Sequence, residues 1–375
     1  MTTTLTAIAP TLYSAAREVA REPFAAVQAV NTSFDNKGVA FGDKVTVPVM
    51  PSGAAKDFTP GIINTAAQSI TASKVDVEIL KRRKYDMVLT GEQIRSLENG
   101  GNYQDWVTQF IKQGARTLRN EMEIDCVNAI RDGASRSVGT SETNPFASNL
   151  DVLADARKVL VDNGAPMADA HFIMGTAASN ALQKLGIYQQ AYAAGDDGER
   201  RTGGFRPQFG FNMAESAGVS IHTKGTGASY LVNGALTIGQ TVITADTGTG
   251  TIVVGDVVTF AGDTVNQYVV TGALAGGSFT IGDNGIRAEI ADNAAITVTN
   301  DYTGNLAFER NAVVGVVRPP LIPVKPGDAQ LSVSDETGMS YLLLDSVQYG
   351  QRVWELHTCW GFKSVNGAFS AVVKG

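Results

Sequence analysis

The chain has 375 residues, 43% of them hydrophobic, and a net charge of −7, so it can bury a sizeable core and is not disordered as a whole. The acidic excess disfavours a protein that coats nucleic acid, and two cysteines, Cys126 and Cys359, are too few for a disulfide scaffold or a zinc site made of cysteines. No apolar run has the roughly 18 residues that span a bilayer, and the N-terminus lacks the basic and apolar parts of a signal peptide, so we expect a soluble protein made in the cytoplasm.

The first 38 residues are predicted to form an arm, in which apolar residues between positions 11 and 30 follow helical spacing. Pro23 interrupts this spacing, so we expect two short helices with Pro23 in the first turn of the second. The arm either packs on its own subunit or docks on another one.

Residues 39–90 are predicted to form an extended β-hairpin, because two stretches alternate apolar residues with other residues at the period of a strand. Pro48 places the first stretch at a sheet edge, since proline cannot donate to a ladder. The hairpin has little nearby sequence against which to bury an apolar face, so we expect it to contact a neighbour. The apolar positions of the two stretches are Val45, Val47, Val49, Val75, Val77 and Ile79.

Two clusters in this region are candidate intersubunit contacts. Lys56, Asp57 and Phe58 place an aromatic side chain beside opposite charges between turn-forming residues, which is a composition that interfaces use. The second cluster is a basic run, Lys81, Arg82, Arg83 and Lys84. Because no stacking aromatic residue beyond Tyr85 accompanies this run, we interpret it as a solvated strand face or an intersubunit ion-pair patch, and not as a nucleic-acid site.

The strongest local signal is a long helix over residues 102–132, where apolar residues recur at steps of three and four. Asn102 is its expected cap and Gly133 its expected end. At 1.5 Å per residue such a helix is about 45 Å long, which exceeds the width of most small domains. A capping-box pattern at residues 90–93 predicts a short helix just before it.

Residues 148–224 predict a mixed region with helices at 151–163 and 176–192 and strands at 171–174 and 218–222. Its loop over residues 195–204 contains Asp196 and Asp197 but lacks the alternating oxygen ligands and closing glutamate of a calcium loop.

Residues 225–303 differ in composition, since they contain no proline, tryptophan or cysteine and carry most of the acidic excess. Short strand patterns between turn residues predict a small antiparallel barrel or sandwich inserted into the mixed region. These patterns cover 241–244, 251–254, 257–260, 267–271, 278–281 and 296–299. After the insertion, further strands are predicted at 312–317, 340–344, 352–356 and 369–373.

No catalytic or cofactor motif is found in the sequence. The three histidines, His171, His222 and His357, are far apart and lie in strand-like runs, so we interpret each as structural. Metalloprotease, nucleophile-elbow and phosphate-loop motifs are missing. We therefore predict neither a catalytic site nor a metal or cofactor, and expect a protein that is not an enzyme.

The order of these elements resembles the major capsid proteins of tailed bacteriophages, whose fold is the Hong Kong 97 type. The acidic insertion is similar to the insertion domain of the P-twenty-two-type coat proteins, and the stretch Gly255–Gly262 matches a characteristic segment of it. The resemblance implies an α+β fold with an inserted antiparallel β-barrel. The implied divisions are an N-terminal arm (1–38), an extended loop (39–90), a spine helix with peripheral domain (91–147), the first part of an axial domain (148–224), the inserted domain (225–303), the return of the axial domain (304–327) and C-terminal strands of the peripheral domain (328–375).

The function that this resemblance implies is assembly into an icosahedral shell that encloses double-stranded DNA, with pentamers and hexamers of the chain as its units. A scaffolding protein and a portal would be partners, DNA would be enclosed without sequence-specific binding, no membrane would be involved, and the location would be the virion after synthesis in the bacterial host cytoplasm. Some relatives crosslink Lys to Asn; Lys56 lies in the extended loop, but no partner is identified for it, and insertion-bearing relatives generally lack the crosslink. The alternatives are a decoration or tail subunit of a virion and an enzyme with a dispersed active site.

Overall fold

The computed structural model describes residues 24–32, 42, 44–49, 73–101, 103–189, 203–323, 328–334 and 339–375. Six α-helices lie in these ranges: α1 (Ala25–Ala29), α2 (Gly91–Asn99), α3 (Tyr103–Asp132), α4 (Asp151–Asp162), α5 (Thr176–Lys184) and α6 (Gly186–Gln189). Short strands before and within the mixed region are β1 (Lys44–Val49), β2 (Ser73–Glu78), β3 (Lys81–Thr90), β4 (Arg136–Val138), β5 (Ala170–Met174), β6 (Phe211–Glu215) and β7 (Ile221–His222). The remaining strands are β8 (Tyr230–Val232), β9 (Val242–Asp246), β10 (Val257–Phe260), β11 (Asp263–Ala275), β12 (Ser278–Ile281), β13 (Ala295–Val298), β14 (Tyr302–Glu309), β15 (Val313–Arg318), β16 (Ala329–Ser334), β17 (Ser340–Gln348), β18 (Gln351–Ser364) and β19 (Ser370–Lys374).

The long helix α3 is confirmed over 30 residues and buries the predicted apolar stripe, including Leu118, Met122 and Cys126. The capping box is also confirmed: the Thr90 hydroxyl accepts the Gln93 N–H at 3.4 Å, and the Gln93 side chain accepts the Thr90 N–H at 3.0 Å. Residue 102, the expected cap of α3, lies outside the described residues.

A five-stranded antiparallel sheet packs against α3. Its long strand β18 pairs with β3, β15 and β17, and β16 pairs with β17. Trp354, Leu356 and Trp360 of β18 are buried in the same core as the apolar stripe of α3. Pairing along the whole of β3 joins residues 81–90, which the sequence places in the extended loop, to the C-terminal strands.

The extended hairpin itself is formed by β1 and β2, which pair antiparallel with Val45 opposite Val77. Both are edge strands in a two-stranded sheet, as Pro48 requires. The expectation that this hairpin lacks a local core is wrong at its base. There Val47, Val77 and Ile79 pack with apolar residues of the five-stranded sheet, which are Val314, Val316 and Cys359.

The second sheet has twelve strands and contains both the mixed region and the insertion. Strands β4, β19, β14, β5 and β6 form its first part, with α4 and α5 packed in the second core. The predicted helix over 176–192 is interrupted because α5 ends at Lys184 and Gly186 starts α6; residues 190–202 lie outside the described residues. Of the strand predicted at 218–222, only the last two residues form a strand, which is β7. Strand β6 was not predicted.

The insertion is a closed antiparallel barrel in which β10, β13, β8, β9, β12 and β11 follow one another and β11 pairs back to β10. It has its own core of aliphatic and aromatic side chains. The strand predicted over 251–254 is not formed, and β8 was not predicted. Strand β11 also pairs with β4, at Gln267 and Ser137, so the barrel is hydrogen-bonded to the sheet from which it is inserted.

Candidate assembly surface

The helix α1 of the N-terminal arm is held against α3 by one buried carboxylate. Glu123 accepts the N–H groups of Ala26 at 2.8 Å and Val27 at 3.1 Å, which are first-turn donors of α1. The hydroxyl of Ser216 donates to the same carboxylate at 2.6 Å. A negative charge at the N-terminal turn of a helix satisfies donors that have no partner within the helix. Glu123 therefore joins the arm, the long helix and the segment after β6.

Two further contacts reinforce this junction. The guanidinium of Arg119, one turn before Glu123, lies over the Phe24 ring at 5.0 Å from its centroid. Gly218 permits the close approach of its segment, because a Cβ at that position would lie 2.8 Å from Cγ of Glu123. The second helix predicted for the arm is confirmed in the short form of α1, packed on its own subunit. It begins at Ala25 after the N-cap Phe24, so the expectation that Pro23 lies in its first turn is wrong. The first predicted helix lies outside the described residues.

The basic run lies on β3, and its side chains alternate between the two faces of the sheet. Lys81 and Arg83 point to α3, where Lys81 pairs with Asp125 at 2.7 Å and Arg83 pairs with Glu121 at 2.8 Å. On the other face, Lys84 pairs with Glu355 of β18 at 2.6 Å.

Arg82 differs from its three neighbours because it makes no ion pair with any residue that the structure describes; it is exposed, as Arg83 and Lys84 are. The run is therefore mostly an ion-pair network within the chain. Arg82 is its one member whose charge stays available to a partner.

The carboxylate of Glu355 has two partners, Lys84 and His357. The Nε2 atom of His357 lies 3.0 Å from the second carboxylate oxygen of Glu355. Burial favours a raised pKa for Glu355, but the hydrogen bonds from Lys84 and His357 outweigh burial, so the pKa is lowered. The hydrogen bond to Glu355 raises the pKa of Lys84, and burial lowers the pKa of His357. His357 is thus one member of a structural cluster, in keeping with the structural role predicted for it.

Exposed apolar side chains are found at the turn between β17 and β18. Tyr349 is fully exposed and has a φ of 50°, and it precedes Gly350 with a φ of 76°. Two consecutive residues with positive φ make the tight turn that suits a twisted hairpin, at a cost in strain for tyrosine. Val347 in the same turn region is 70% exposed. These two side chains form a small apolar tip at the end of the five-stranded sheet, and the sequence analysis did not identify it.

Of the predicted contact residues, Lys56, Asp57 and Phe58 lie outside the described residues, so the structure does not place them. Glu123 was missed because carboxylates are ordinary on a long helix. The sequence did contain an indication that Glu123 is buried. Glu123 follows Met122 and lies four residues before Val127, so it falls on the apolar face of the helix.

Comparison of the fold with solved structures gives matches that span nearly the whole chain. A structure from Mycobacterium phage Che8 matches with a TM-score of 0.50 and 15% sequence identity, covering 93% of this chain and 90% of that one. The capsid structure of the cyanophage P-SCSP1u matches with a TM-score of 0.49 at 12% identity, covering 93% and 86%, and the capsid of Ralstonia phage GP4 matches with 0.48 at 8%, covering 92% and 86%. The match to the Che8 structure, at a TM-score of 0.50, shows a shared fold, which is that of a phage capsid. The chain has the fold of a tailed-phage major capsid protein.

The Hong Kong 97-type capsid fold expected from the sequence is thereby confirmed, together with its inserted β-barrel. No protein-family model matches the sequence, and no curated protein sequence matches it. The described part of this capsid fold contains no group of three or more His, Cys, Asp or Glu side chains that could hold a metal ion. Within the same residues, none of the helices is both long and apolar enough to cross a membrane.

Proposed function

We propose that this chain is the major capsid protein of a tailed bacteriophage and that it assembles into an icosahedral shell around double-stranded DNA. The observation that carries the proposal is a capsid fold that extends over 93% of the chain, with arm, hairpin, long helix and inserted barrel in the expected order. Each copy would be a structural subunit without catalytic activity, located in the virion. Its units would be pentamers and hexamers.

The surfaces proposed for assembly are those with little to pack against inside one subunit. The base of the β1–β2 hairpin is buried on the subunit's own sheet, so the part beyond the base is available to overlap a neighbour. We assign Lys56, Asp57 and Phe58 to this overlap. In the basic run of Lys81, Arg82, Arg83 and Lys84, the exposed Arg82, which makes no ion pair with the described residues, is the side chain best suited to an intersubunit ion pair.

The division into arm, extended loop, spine helix, axial and peripheral domains is part of the same proposal, as are a scaffolding protein and a portal as partners. A chain with a net charge of −7 repels DNA on balance, which favours enclosure without tight binding. DNA that is enclosed but not bound can later leave the shell.

Electron microscopy of the purified full chain, with sedimentation at rising protein concentration, tests this function. Closed particles of uniform size are the expected result. Small oligomers of fixed mass at every concentration would instead favour another virion component, such as a decoration or tail subunit.

A further inference from the structure

The turn between β17 and β18 has a sequence that its backbone does not favour. Gln348 pairs with Gln351, so Tyr349 and Gly350 form a two-residue hairpin loop in which both φ angles are positive. That loop type is most favourable with asparagine followed by glycine, and a tyrosine at its first position is strained. The Tyr349 side chain is fully exposed, so packing within the described part of the subunit does not offset this strain. A strained and exposed aromatic side chain indicates a contact made outside the subunit.

The apolar tip, which is Val347 and Tyr349, also lies in a stretch without charge. Residues 346–351 contain no acidic or basic side chain. The nearest charged residues along the two strands, Asp345 and Arg352, pair with each other at 2.6 and 2.9 Å. Interface cores are depleted of charged residues and enriched in tyrosine. The composition of the tip is therefore that of a contact surface.

A groove of about 450 Å³ lies on the same subunit between α3 and β3. Its lining is aromatic, basic and amide side chains, namely Tyr85, Trp106, Gln109, Phe110, Lys112, Gln113 and Arg116. The rings of Tyr85 and Phe110 lie 5.2 Å apart. Gly114 makes room for this pair, because a Cβ at that position would lie 2.8 Å from Cδ1 of Tyr85. A glycine inside a helix lowers the stability of the helix, so the sequence gives up stability to let Tyr85 approach α3.

The chemistry of the groove suits the side chain of a tyrosine. Its aromatic walls favour tilted or edge-on contact with another ring. The cationic side chains of Lys112 and Arg116 are attracted to the face of such a ring. The amides of Gln109 and Gln113 can hydrogen-bond a phenolic hydroxyl. An aliphatic side chain would use only the apolar part of this lining.

We propose that the apolar tip of one subunit inserts Tyr349 into the groove between α3 and β3 of a second copy of the chain. This inference rests on the assembly proposed above and identifies one of its contacts. Tyr349 does not occupy the groove of its own subunit, because it is fully exposed. The Tyr85 of that groove lies opposite Leu356, about 23 Å further along β18 at 3.3 Å per residue.

The area of the tip favours a second copy over a separate partner protein. An aromatic side chain buries about 150–250 Å², which is well below the roughly 800 Å² that each partner of a stable interface buries. A contact this small holds when many copies are linked at once, as in an assembly of identical subunits. Because the tip and the groove are different patches of one chain, the contact repeats head to tail and can close a ring of copies.

Cysteine crosslinking tests the contact directly, since the chain's own cysteines, Cys126 and Cys359, are buried. Tyr349→Cys and Gln109→Cys are made as separate full-length chains, mixed, assembled and oxidised. The expected result on non-reducing electrophoresis is a covalent dimer that forms only in the mixture. Asn120→Cys is the matched control in place of Gln109→Cys and is expected to give no dimer. It is exposed on the same face of α3 but about 16 Å from position 109, beyond the reach of a disulfide.

The outcomes separate this contact from the proposed function. A dimer from Tyr349→Cys alone would show that tip meets tip, and equal yields with Gln109→Cys and Asn120→Cys, or no dimer, would also overturn the proposal. Particles without the crosslink would leave the capsid function standing and the contact wrong. If the wild type forms no particles, the proposed function fails, and the crosslink in whatever oligomers form then decides the contact.

The strain at Tyr349 gives a second test, with opposite effects on subunit and assembly. Tyr349→Asn suits the turn, so the melting temperature of the unassembled subunit is expected to rise by about 2 °C. The same variant removes the inserted ring and is expected to need about tenfold more protein to assemble. Tyr349→Phe keeps the ring and should assemble nearly as the wild type does. Assembly of Tyr349→Asn at the wild-type concentration would contradict the contact.

Discussion

The side chain of Glu123 shows how one residue can connect segments that are far apart in the sequence. Its carboxylate is 1% exposed and takes hydrogen bonds from the arm and from Ser216. Removing the charge from a buried acceptor leaves donors without a full partner, and hydrogen bonds to charged groups contribute about 1.5–3 kcal/mol. A residue with this role limits how far the arm can move without breaking polar contacts.

Glu123→Gln is therefore expected to lower the free energy of unfolding by about 1.5–3 kcal/mol, because the amide has one acceptor oxygen in place of two. Urea denaturation measures this loss. Glu121→Gln is the matched control on the same helix: its ion pairs with Lys81 and Arg83 are partly exposed, so a loss of about 0–1 kcal/mol is expected. Equal losses in the two variants would show that the buried contact contributes nothing special.

Lys374 predicts how stability depends on pH. It is 2% exposed and makes no ion pair with the described residues, and burial lowers its pKa from 10.5 to about 8. The unfolded chain keeps this proton up to about pH 10.5, while the folded chain loses it near pH 8. The unfolded state thus binds more protons between these values, so the contribution of Lys374 to stability rises with pH across that window.

Below pH 8 the full cost of burying the charged amine remains. Lys374→Met is expected to be more stable than the wild type at neutral pH, by about 2–3 kcal/mol, because it removes a buried charge. The difference should shrink as pH rises from 8 to 10.5. Thermal melts of both proteins over this range measure it, and a difference that does not change with pH would mean that Lys374 is not the titrating group.

At the scale of elements, α3 separates a buried side from an exposed one. Leu118 is 2% exposed and Ile124, on the same helix, is 43% exposed. Leu118→Ala should cost about 2–5 kcal/mol, because the surrounding core cannot fully close the cavity. Ile124→Ala should cost less than about 1 kcal/mol. Chemical denaturation of the two variants checks the pair, and similar costs would place the apolar stripe outside the core.

The helix α3 was predictable from sequence because its apolar residues keep the helical period over eight turns. A pattern of that length does not arise by chance. The strands of the barrel were harder to predict from the sequence. Residues 251–253 have a strand-like composition but belong to no strand; their backbone takes part only in single hydrogen bonds, such as those from the Gly227 N–H to the Thr251 carbonyl and from the Leu274 N–H to the Ile252 carbonyl. The three-residue strand β8 is too short to show alternation.

The pairing partner of β3 could not be predicted from the sequence, and the reason differs from that for the barrel strands. Its alternation indicates a strand, but the partner, β18, lies about 270 residues later, and sequence patterns do not encode such a distance. The Glu123 contact likewise depends on segments that only the folded chain brings together. The candidate site was predicted in part: the basic run was identified, but its pairing with α3 and β18 was not.

At the scale of the whole molecule, the extended hairpin is a two-stranded sheet attached at its base. A sheet of two strands is marginal in water unless it packs on something else. Here Val47, Val77 and Ile79 pack on the subunit's own β15 and β18, so the base needs no neighbour. The residues between β1 and β2, which include Lys56, Asp57 and Phe58, can then change without loss of this anchor.

Deletion of residues 53–61 is expected to leave a folded, soluble subunit and to block or weaken shell formation. The subunit should keep its melting temperature, because shortening a loop changes closure entropy little and the packing at Val47, Val77 and Ile79 stays. Shell formation should fail because the proposed contact residues are lost with the loop. Thermal melting of the subunit and sedimentation of assembled particles are measured on the same preparation.

Two companion variants identify the cause of an assembly defect. A glycine–serine segment of equal length in place of residues 53–61 keeps the reach of the loop but removes its side chains, and Phe58→Ala removes only the aromatic anchor. A defect in all three variants supports a contact through Phe58. A defect in the deletion alone means that length matters and that these side chains are not the contact. Normal particles of normal stability from the deletion variant would refute the intersubunit role, and loss of the folded subunit would place the loop in the core of its own chain.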